Sequence, residues 1–248
     1  MLTLCSEDEG QSVSVPGVAT KAADAADGDR LIDADEGQVV VDTVAYENLT
    51  PGESYTLKGR VLDAETGDVL AEATTEFTPE EADGEAKVEF TVDGTGLEGK
   101  RLYCAEHLYR GEKLVGSHDD ADDEGQSVRL PGIHTTATDA ADGDHEAEAA
   151  ATVKIVDRVE YMGLVAGREY TVAGHLVDRE TGEPVEAAGA EVYKEVAFTA
   201  ETSDGHVDVE FEFDGSLLAG HDLVAFEEIT HEGRKVAVHA DLRTRSRP

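Results

Sequence analysis

Hydrophobic and polar residues alternate with a period of two along much of this chain, as they do in half-buried β-strands. The alternating runs are rich in β-branched and aromatic residues and are bounded by turn residues, so helix is predicted to be a minor component at most. Strands are predicted at Gly37–Tyr46, Ser54–Leu62, Ala86–Gly94, Lys100–Tyr109, Val153–Tyr161, Glu169–Asp178, His206–Gly215 and His221–Ile229. Short strands joined by polar turns indicate an all-β fold built from antiparallel sandwiches.

The segments between these strands carry turn signals. Pro51 and Gly52 suit the central positions of a type II turn, and Asp63–Asp68 is predicted to form a tight connection. The stretches Asp24–Asp29 and Asp139–Asp144 share the sequence DAADGD, have no apolar period and are predicted to be solvated loops.

A long internal repeat organises the chain. The stretch HDDADDEGQSVRLPG at His118–Gly132 has a shortened copy, SEDEGQSVSVPG, at Ser6–Gly17, and 115 residues separate Gln11 from Gln126. A period of this length suits an independently folding domain. We therefore predict the tail of a preceding repeat over 1–16, a complete repeat over 17–131 and a second, divergent or truncated repeat over 132–248. Because the chain begins inside a repeat and ends in RTRSRP, both ends are expected to be cut or shifted out of frame.

Composition excludes several classes of protein. The 56 acidic and 20 basic residues give a formal net charge of −36, which argues against nucleic acid or an anionic membrane as a partner. The two cysteines, Cys5 and Cys104, lie at non-equivalent places in the repeat, so no repeated disulfide can brace each domain. Neither a transmembrane span nor a signal peptide is evident in the sequence.

Several polar residues fall on the apolar faces of the predicted strands at matching places in the two repeats. Asp157, for example, shares a face with Val153 and Val159, whereas Lys154 and Arg158 point to the opposite side. The same test selects Thr20, Asp42, Glu106 and Gln126 in the first repeat, Thr135, Asp157 and Glu227 in the second, and Gln11 ahead of both.

Buried carboxylates are costly unless they are paired, protonated or hydrogen-bonded, so two acids on the core face of each domain need compensating chemistry. A hydroxyl, an amide and two acids are consistent with a reaction centre. Each residue also has an ordinary interpretation, because Thr is common in strands and His118, beside Asp119 and Asp120, suits a solvated strand edge. The sequence alone does not bring these residues together.

Four short motifs resemble those of a known family. They are a Thr in TKA or TTA, a DxVxY strand, a VAFE strand, and a final His followed eight residues later by Gln. The most specific string is VAFEE at Val224–Glu228, and its looser counterpart is YCAEH at Tyr103–His107. The chain thereby resembles the Thr–Gln intramolecular ester bond domains, which are the VaFE repeat domains of Gram-positive surface adhesins and pilus-like stalks.

The resemblance implies tandem immunoglobulin-like (prealbumin/CnaB-like) β-sandwiches, each joining its first and last strands through a Thr–Gln ester with loss of ammonia. Thr20 would be the nucleophile and Gln126 the electrophile, with His118 assisting proton transfer. Asp42 and Glu106 would form the acidic pair. The reaction would be a self-catalysed single turnover without cofactor or metal, so the chain is not expected to be an enzyme.

The second repeat departs from the family pattern. Its counterparts are Thr135, Asp157, Glu227 and His239, but Arg247 stands where the Gln is expected, so this copy should not close a bond. Gln11 would be the acceptor of the preceding repeat. The resemblance further implies an extracellular place at the cell wall, neighbouring repeats as partners, and a host or matrix ligand bound through a tip domain. It implies no contact with nucleic acid or membrane.

Two alternatives remain open from the residues. The acidic run Asp119–Glu124 could belong to a calcium-dependent adhesion module, although it does not follow the EF-hand pattern. Asp42 and Glu106 could serve a carboxylate-pair hydrolase, although the absence of Trp and the 5% content of aromatic residues argue against a sugar-binding cleft.

Overall fold

A computed structural model describes residue 13 and residues 15–242. Within them the chain is all-β, with one single-turn 3-10 helix, Glu124–Gln126, as the helical element. The strands are β1 Gly17–Asp24, β2 Gln38–Glu47, β3 Tyr55–Asp63, β4 Val69–Phe77, β5 Gly84–Val92, β6 Arg101–Arg110, β7 Lys113–His118, β8 Ser127–Arg129, β9 Gly132–Asp139, β10 Val153–Met162, β11 Glu169–Asp178, β12 Glu186–Ala187, β13 Ala190–Glu191, β14 Tyr193–Thr199, β15 Gly205–Phe213, β16 Leu223–His231 and β17 Arg234–His239. No helix in the described part of the chain is long and apolar enough to cross a membrane.

The chain divides into two compact units. Among the described residues, unit 1 comprises those up to Arg30 together with Val39–Val92 and Leu102–Val128, and unit 2 comprises Leu31–Gln38, Asp93–Arg101 and those from Arg129 to Leu242. Because two short loop segments that precede residue 131 group with unit 2, the boundary between the repeats stays a prediction from the sequence.

Unit 1 is a two-layer sandwich of antiparallel sheets. One sheet has the order β1-β2-β5, and the other has the order β4-β3-β6-β7, with β8 also paired to β6. Buried residues from both sheets fill the space between them; they include Val40, Val44, Leu57, Val88, Phe90, Leu102 and Leu108. The first strand of the unit and the segment that leads into its last strand therefore belong to different layers.

Unit 2 repeats this plan with the sheets β15-β10-β9 and β14-β11-β16-β17. It adds a two-stranded hairpin, β12-β13, between β11 and β14. Its core residues include Val159, Tyr170, Val172, Leu176, Val209, Phe211 and Ile229. The predicted all-β tandem sandwich is confirmed.

The predicted strands are present with shifts of a few residues at their ends, and the alternation within them is confirmed by burial. In β10, Val153, Asp157 and Val159 are buried, while Lys154 and Arg158 are exposed. Gly52 has a φ of 79°, as the third position of a type II turn requires. The same turn is fixed in each unit by a buried tyrosine, because the Thr50 N–H donates to the Tyr55 hydroxyl and the Val165 N–H donates to that of Tyr170, both at 3.0 Å.

Candidate functional site

Strands β1 and β2 place Thr20 and Asp42 on the inner face of one sheet of unit 1. Thr20 pairs with Val44 and Asp42 pairs with Ala22, so the two polar residues are diagonal neighbours on the same face. Thr20 is 8% exposed and Asp42 is fully buried. A threonine hydroxyl and a carboxyl are thus enclosed side by side in an apolar sandwich.

The opposite sheet contributes Glu106 and His118. Glu106 lies on β6 between two strands, paired with Gly59 on β3 and with His118 at the end of β7. Gly59 makes room for the acid, because a Cβ at that position would lie 2.1 Å from Glu106 Oε1 and 2.4 Å from Phe90 Cζ. The fully buried carboxyl of Glu106 therefore depends on a glycine in the neighbouring strand.

Gln126 is the last residue of the 3-10 helix and enters the core just before β8. The turn is capped by Asp123, whose side chain accepts a hydrogen bond of 2.7 Å from the Gly125 N–H. The Asp123 carbonyl accepts bonds of 3.1 Å from the Gln126 N–H and from the Ser127 hydroxyl. This turn directs the Gln126 side chain inward, and the residue is fully buried.

Three groups converge on one ring nitrogen, His118 Nδ1. The Gln126 side-chain nitrogen lies 2.6 Å from it, the Thr20 hydroxyl 3.3 Å and the Thr20 main-chain nitrogen 3.1 Å. A main-chain N–H can only donate, so Nδ1 must be the unprotonated acceptor and Nε2 carries the ring proton. The same assignment orients the Gln126 NH2 group toward His118 and its Oε1 atom away from the imidazole.

Burial dominates the electrostatics of the two acids. Burial raises the pKa of Asp42 from 3.8 to about 7, and the nearby Thr20 hydroxyl and Lys21 N–H partly offset this rise. Burial, followed by the charge of Asp42, raises the pKa of Glu106 from 4.5 to about 8. At neutral pH the pair therefore holds at least one neutral carboxyl group.

The site also contains polar atoms that have no hydrogen-bond partner. All four carboxyl oxygens of Asp42 and Glu106 are buried without a partner in regular geometry, and so is Gln126 Oε1. Such atoms are rare in folded proteins and need an explanation. An amide whose carbonyl carbon can be attacked and a neutral acid that can donate to its carbonyl oxygen, enclosed in the same unit, are components of an acyl-transfer centre.

Unit 2 reproduces the acids with different surroundings. Asp157 is fully buried on β10, Glu227 is 2% exposed on β16, and Thr135 is half-buried on β9. His239 pairs with Glu227 across β16 and β17, as His118 does with Glu106. The His239 ring packs edge-on against His134, with 6.1 Å between the ring centroids.

Burial also dominates the electrostatics of the two acids of unit 2, whose four carboxyl oxygens have no partner in regular geometry. Burial raises the pKa of both Asp157 and Glu227, and the contact with Asp157 raises the pKa of Glu227 further. Burial lowers the pKa of His239, and the neighbouring His134 lowers it again. The raised pKa of Glu227, about 10, keeps its carboxyl group neutral at neutral pH.

Two residues that the sequence assigns to this chemistry, Gln11 and Arg247, lie outside the described residues. Within residues 15–242, no group of three or more His, Cys, Asp or Glu side chains is placed to hold a metal ion. The structure adds two residues that the sequence analysis did not single out. The sequence does not distinguish Asp123 from the other acidic residues of the run Asp119–Glu124, and it marks Gly59 only as one residue of a predicted strand.

The fold and this centre define a class of protein: tandem β-sandwiches in which a threonine, a histidine, a glutamine and two acids meet inside one domain. The chain matches the family model described as T-Q ester bond containing domain twice, over residues 16–130 and 131–246. It belongs to that family. The family resemblance inferred from the motifs is thereby confirmed.

Comparisons with other proteins add little to this assignment. No curated protein matches the chain. Among solved structures, the chain is similar to a bacterial adhesin from Mobiluncus mulieris containing intramolecular disulfide, isopeptide and ester bond cross-links, with 16% identity, a TM-score of 0.42 and coverage of 88% of this chain and 81% of the adhesin. It is also similar to a DUF4785 family protein from Legionella pneumophila, with 13% identity, a TM-score of 0.31 and coverage of 83% and 51%.

Proposed function

We propose that the chain is a structural stalk module in which unit 1 forms an ester between Thr20 and Gln126. Membership of the ester bond family supports this function. The observation that carries the choice of residues is the convergence of the Thr20 hydroxyl and the Gln126 amide nitrogen on His118 Nδ1, at 3.3 Å and 2.6 Å. The nucleophile and the leaving group thereby share one proton acceptor.

The chemistry follows from this arrangement. Thr20 Oγ1 attacks Gln126 Cδ as His118 Nδ1 takes the hydroxyl proton, and the same nitrogen then delivers that proton to Gln126 Nε2. The Cδ–Nε2 bond breaks, ammonia leaves, and the Thr20 Oγ1–Cδ bond remains as the ester. Holding both groups in a folded core supplies effective molarities on the order of 10⁵–10⁸ M, which suits a reaction that occurs once in each molecule.

The acid pair has a separate role. Negative charge develops on Gln126 Oε1 during the attack, and this atom has no hydrogen-bond partner before the reaction. A neutral carboxyl of the Asp42–Glu106 pair can donate its proton in a hydrogen bond to that oxygen. The raised pKa of Glu106, about 8, keeps such a donor available at neutral pH.

The position of the bond supports a mechanical role. Thr20 lies in β1, where the chain enters unit 1, and Gln126 immediately precedes β8, where it leaves. A pulling force along the chain would pass from Thr20 directly to Gln126 through the ester and bypass the residues between them. The domain would then resist extension and proteolysis even when its hydrogen bonds open. This property suits an extracellular stalk at a cell surface, with neighbouring repeats as its partners and any ligand contact made outside the two units.

The experiment is intact-mass spectrometry of the folded protein. We expect the loss of one ammonia and, after digestion, a cross-linked peptide pair that contains Thr20 and Gln126. Thr20→Ala should restore the unreacted mass, and Asp42→Asn or Glu106→Gln should slow the reaction while leaving the sandwich folded.

Unit 2 supplies the matched control. Thr135→Ala removes the equivalent hydroxyl, but Arg247 occupies the place of the glutamine, so this variant should still lose one ammonia. The proposal fails if aged, folded wild-type protein yields Thr20 and Gln126 only in separate peptides of unreacted mass.

A further inference from the structure

We propose that Arg30 is a positioning residue for ester formation, which holds the turn of Gln126 against the loop that follows the strand of Thr20. This inference rests on the proposed Thr20–Gln126 reaction and adds to it a residue from outside the reaction centre. The Arg30 guanidinium donates a hydrogen bond to the main-chain carbonyl oxygen of Glu124, 94 residues later in the chain. Glu124 is the first residue of the turn that ends at Gln126.

The loop that carries Arg30 is closed by its own main-chain hydrogen bonds. It begins at Asp24, the last residue of β1, whose N–H donates to the Asp29 carbonyl at 2.8 Å and whose carbonyl accepts the Gly28 N–H at 2.9 Å. Gly28 has a φ of 82°, a conformation that glycine adopts without steric cost. Arg30 therefore extends from a closed loop that directly follows the strand of the nucleophile.

The partner of Arg30 is a carbonyl group of the single turn Glu124–Gln126. The Glu124 carbonyl oxygen also accepts the Ser127 N–H, so it has one hydrogen bond within the turn and one from the guanidinium. A hydrogen bond from a charged donor is stronger than one between neutral groups. The Glu124 carboxylate adds a weaker contact, with Oε2 at 3.9 Å from Arg30 Nη1. Arg30 therefore fixes the turn whose last residue is the electrophile.

The charges of the two segments give Arg30 a second role. The loop Asp24–Asp29 contains three aspartates, and the run Asp119–Glu124 contains five acidic residues. The proposed reaction brings these segments together, because one follows the strand of the nucleophile and the other precedes the electrophile. Like charges repel each other at short range. Arg30 follows the first acidic segment and contacts the last residue of the second, so its positive charge offsets this repulsion.

Unit 2 contains the same loop without the arginine. The loop Asp139–Asp144 closes with the same two main-chain hydrogen bonds, at 2.8 Å and 2.9 Å. The next residue is His145, whose Nδ1 lies 2.8 Å from the carbonyl oxygen of Ala137 in its own strand, β9. The second repeat also has Arg247 at the place of the glutamine. The loop arginine and the glutamine therefore occur together in unit 1, and both are replaced in the second repeat.

The test times the loss of ammonia by intact mass after cell-free synthesis of the full chain. Arg30→Met removes the charge and the donors but keeps an unbranched side chain. It should slow the reaction about 10-fold, since a displacement of about 1 Å at the reacting groups can cost about 100-fold. Arg30→Lys keeps the charge and a donor and should restore most of the rate. Because salt screens repulsion between exposed charges, Arg30→Met should react faster with added salt, whereas wild type should not.

Hydrogen exchange separates positioning from general destabilisation. The Gln126 side chain is fully buried, so its NH2 protons should exchange slowly with solvent in Thr20→Ala, which cannot react. Adding Arg30→Met should speed this exchange and leave the exchange of the main-chain N–H groups of β3 unchanged. A merely structural role for Arg30 would speed both.

Arg60→Met is the matched control, because Arg60 pairs at 3.2 Å with Asp119, in the same acidic run but five residues before Glu124. It should react like wild type. If wild type loses ammonia and Arg30→Met does so at the same rate, or no faster with the Arg30→Lys side chain in its place, this inference is wrong and the proposed function stands. If wild type never loses ammonia, the proposed function fails, and the exchange of the Gln126 NH2 protons still decides whether Arg30 holds the turn.

Discussion

The two units share a scaffold and an acid pair but differ around the threonine. In unit 1, Thr20 is 8% exposed and lies against His118, whose far side faces Asp123. In unit 2, Thr135 is half-buried, and His239 packs against a second histidine, His134. The acid pairs themselves are alike, because the carboxyl oxygens of Asp42, Glu106, Asp157 and Glu227 are all buried without a partner in regular geometry.

This difference separates the requirements of the fold from those of the reaction. The acid pair is buried in both units, so a sandwich of this kind can contain it without an amide partner. The convergence on one histidine nitrogen is a property of unit 1 among the described residues, where Gln126 enters the core. The carboxyl pair is therefore a shared feature, and we propose that the glutamine with its capped turn is what unit 1 adds for the reaction.

The largest expected difference between the units is their resistance to heat and protease. An ester between Thr20 and Gln126 closes a loop of about a hundred residues, for which the chain-entropy estimate for disulfides gives roughly 4–5 kcal/mol as an upper guide. We expect unit 1 to outlast unit 2 in limited proteolysis of the whole chain, followed by mass spectrometry of the fragments.

Thr20→Ala is the control for this difference. Without the ester, unit 1 should become about as sensitive to protease as unit 2, while Thr135→Ala should leave the ranking unchanged. Equal resistance of the two units in the wild-type protein, or earlier loss of unit 1, would contradict the account.

A second prediction concerns pH and applies to unit 1 without its ester, in the Thr20→Ala protein. The folded-state pKa of Asp42 is about 7 and that of Glu106 about 8, against ordinary values of 3.8 and 4.5. Between about pH 4 and pH 8, therefore, these two carboxyl groups bind more protons in the folded state than in the unfolded state. The free energy of unfolding should therefore be highest near pH 4 and fall by a few kcal/mol as the pH rises to 8.

Urea unfolding of Thr20→Ala at a series of pH values measures this slope. Adding Asp42→Asn removes one of the two titrating groups and should flatten it. A free energy of unfolding that rises between pH 5 and 8 would show that the acids are not held neutral in the core.

The fold was largely predictable from the sequence because burial imposes a strict period of two on strands that face one core. That period placed Asp42 and Glu106 on inner faces, and both are fully buried. The period of two did not predict where edge strands such as β4 and β17 begin and end, because their residues are less regularly buried. The meeting of Thr20, His118 and Gln126 depends on strand register and on one capped turn, which periodicity does not encode. The run Asp119–Glu124 is interpreted from the sequence as solvated charge. Asp122 is indeed exposed, but the Asp123 side chain accepts a hydrogen bond from the Gly125 N–H and caps the turn before Gln126.

A third prediction compares two equivalent glycines, Gly59, which pairs with Glu106 in unit 1, and Gly174, which pairs with Glu227 in unit 2. A Cβ at Gly59 would lie 2.1 Å from Glu106 Oε1, whereas a Cβ at Gly174 would meet the end of the Phe211 ring at 2.9 Å. Gly59→Ala should displace the carboxyl, slow the loss of ammonia and cost about 1–3 kcal/mol, as overpacking of a core does. Gly174→Ala should cost less and leave the loss of one ammonia as fast and as complete as in wild type.

Timed intact mass and thermal unfolding of both variants test this prediction. Glu106→Gln in the Gly59→Ala background is a useful check, because it should slow the reaction little further if the glycine acts through Glu106. Normal ester formation in Gly59→Ala would show that the position of Glu106 is not critical.

The smallest expected effect lies within unit 2 and has the opposite dependence on pH. The hydrogen bond with His221 holds the pKa of Asp178 down at about 2, helped by the N–H groups of Thr181 and Glu180. Because this pKa lies below its ordinary value, the stability that Asp178 contributes is present above about pH 4 and is lost as the pH falls toward 2. The raised pKa values of Asp157 and Glu227 act in the other direction, so unit 2 should be most stable near pH 4. Asp178→Asn keeps an acceptor for the turn and should flatten only the acid side of the profile in thermal unfolding. If wild type and Asp178→Asn lose stability equally below pH 4, another group is responsible for the acid sensitivity of unit 2.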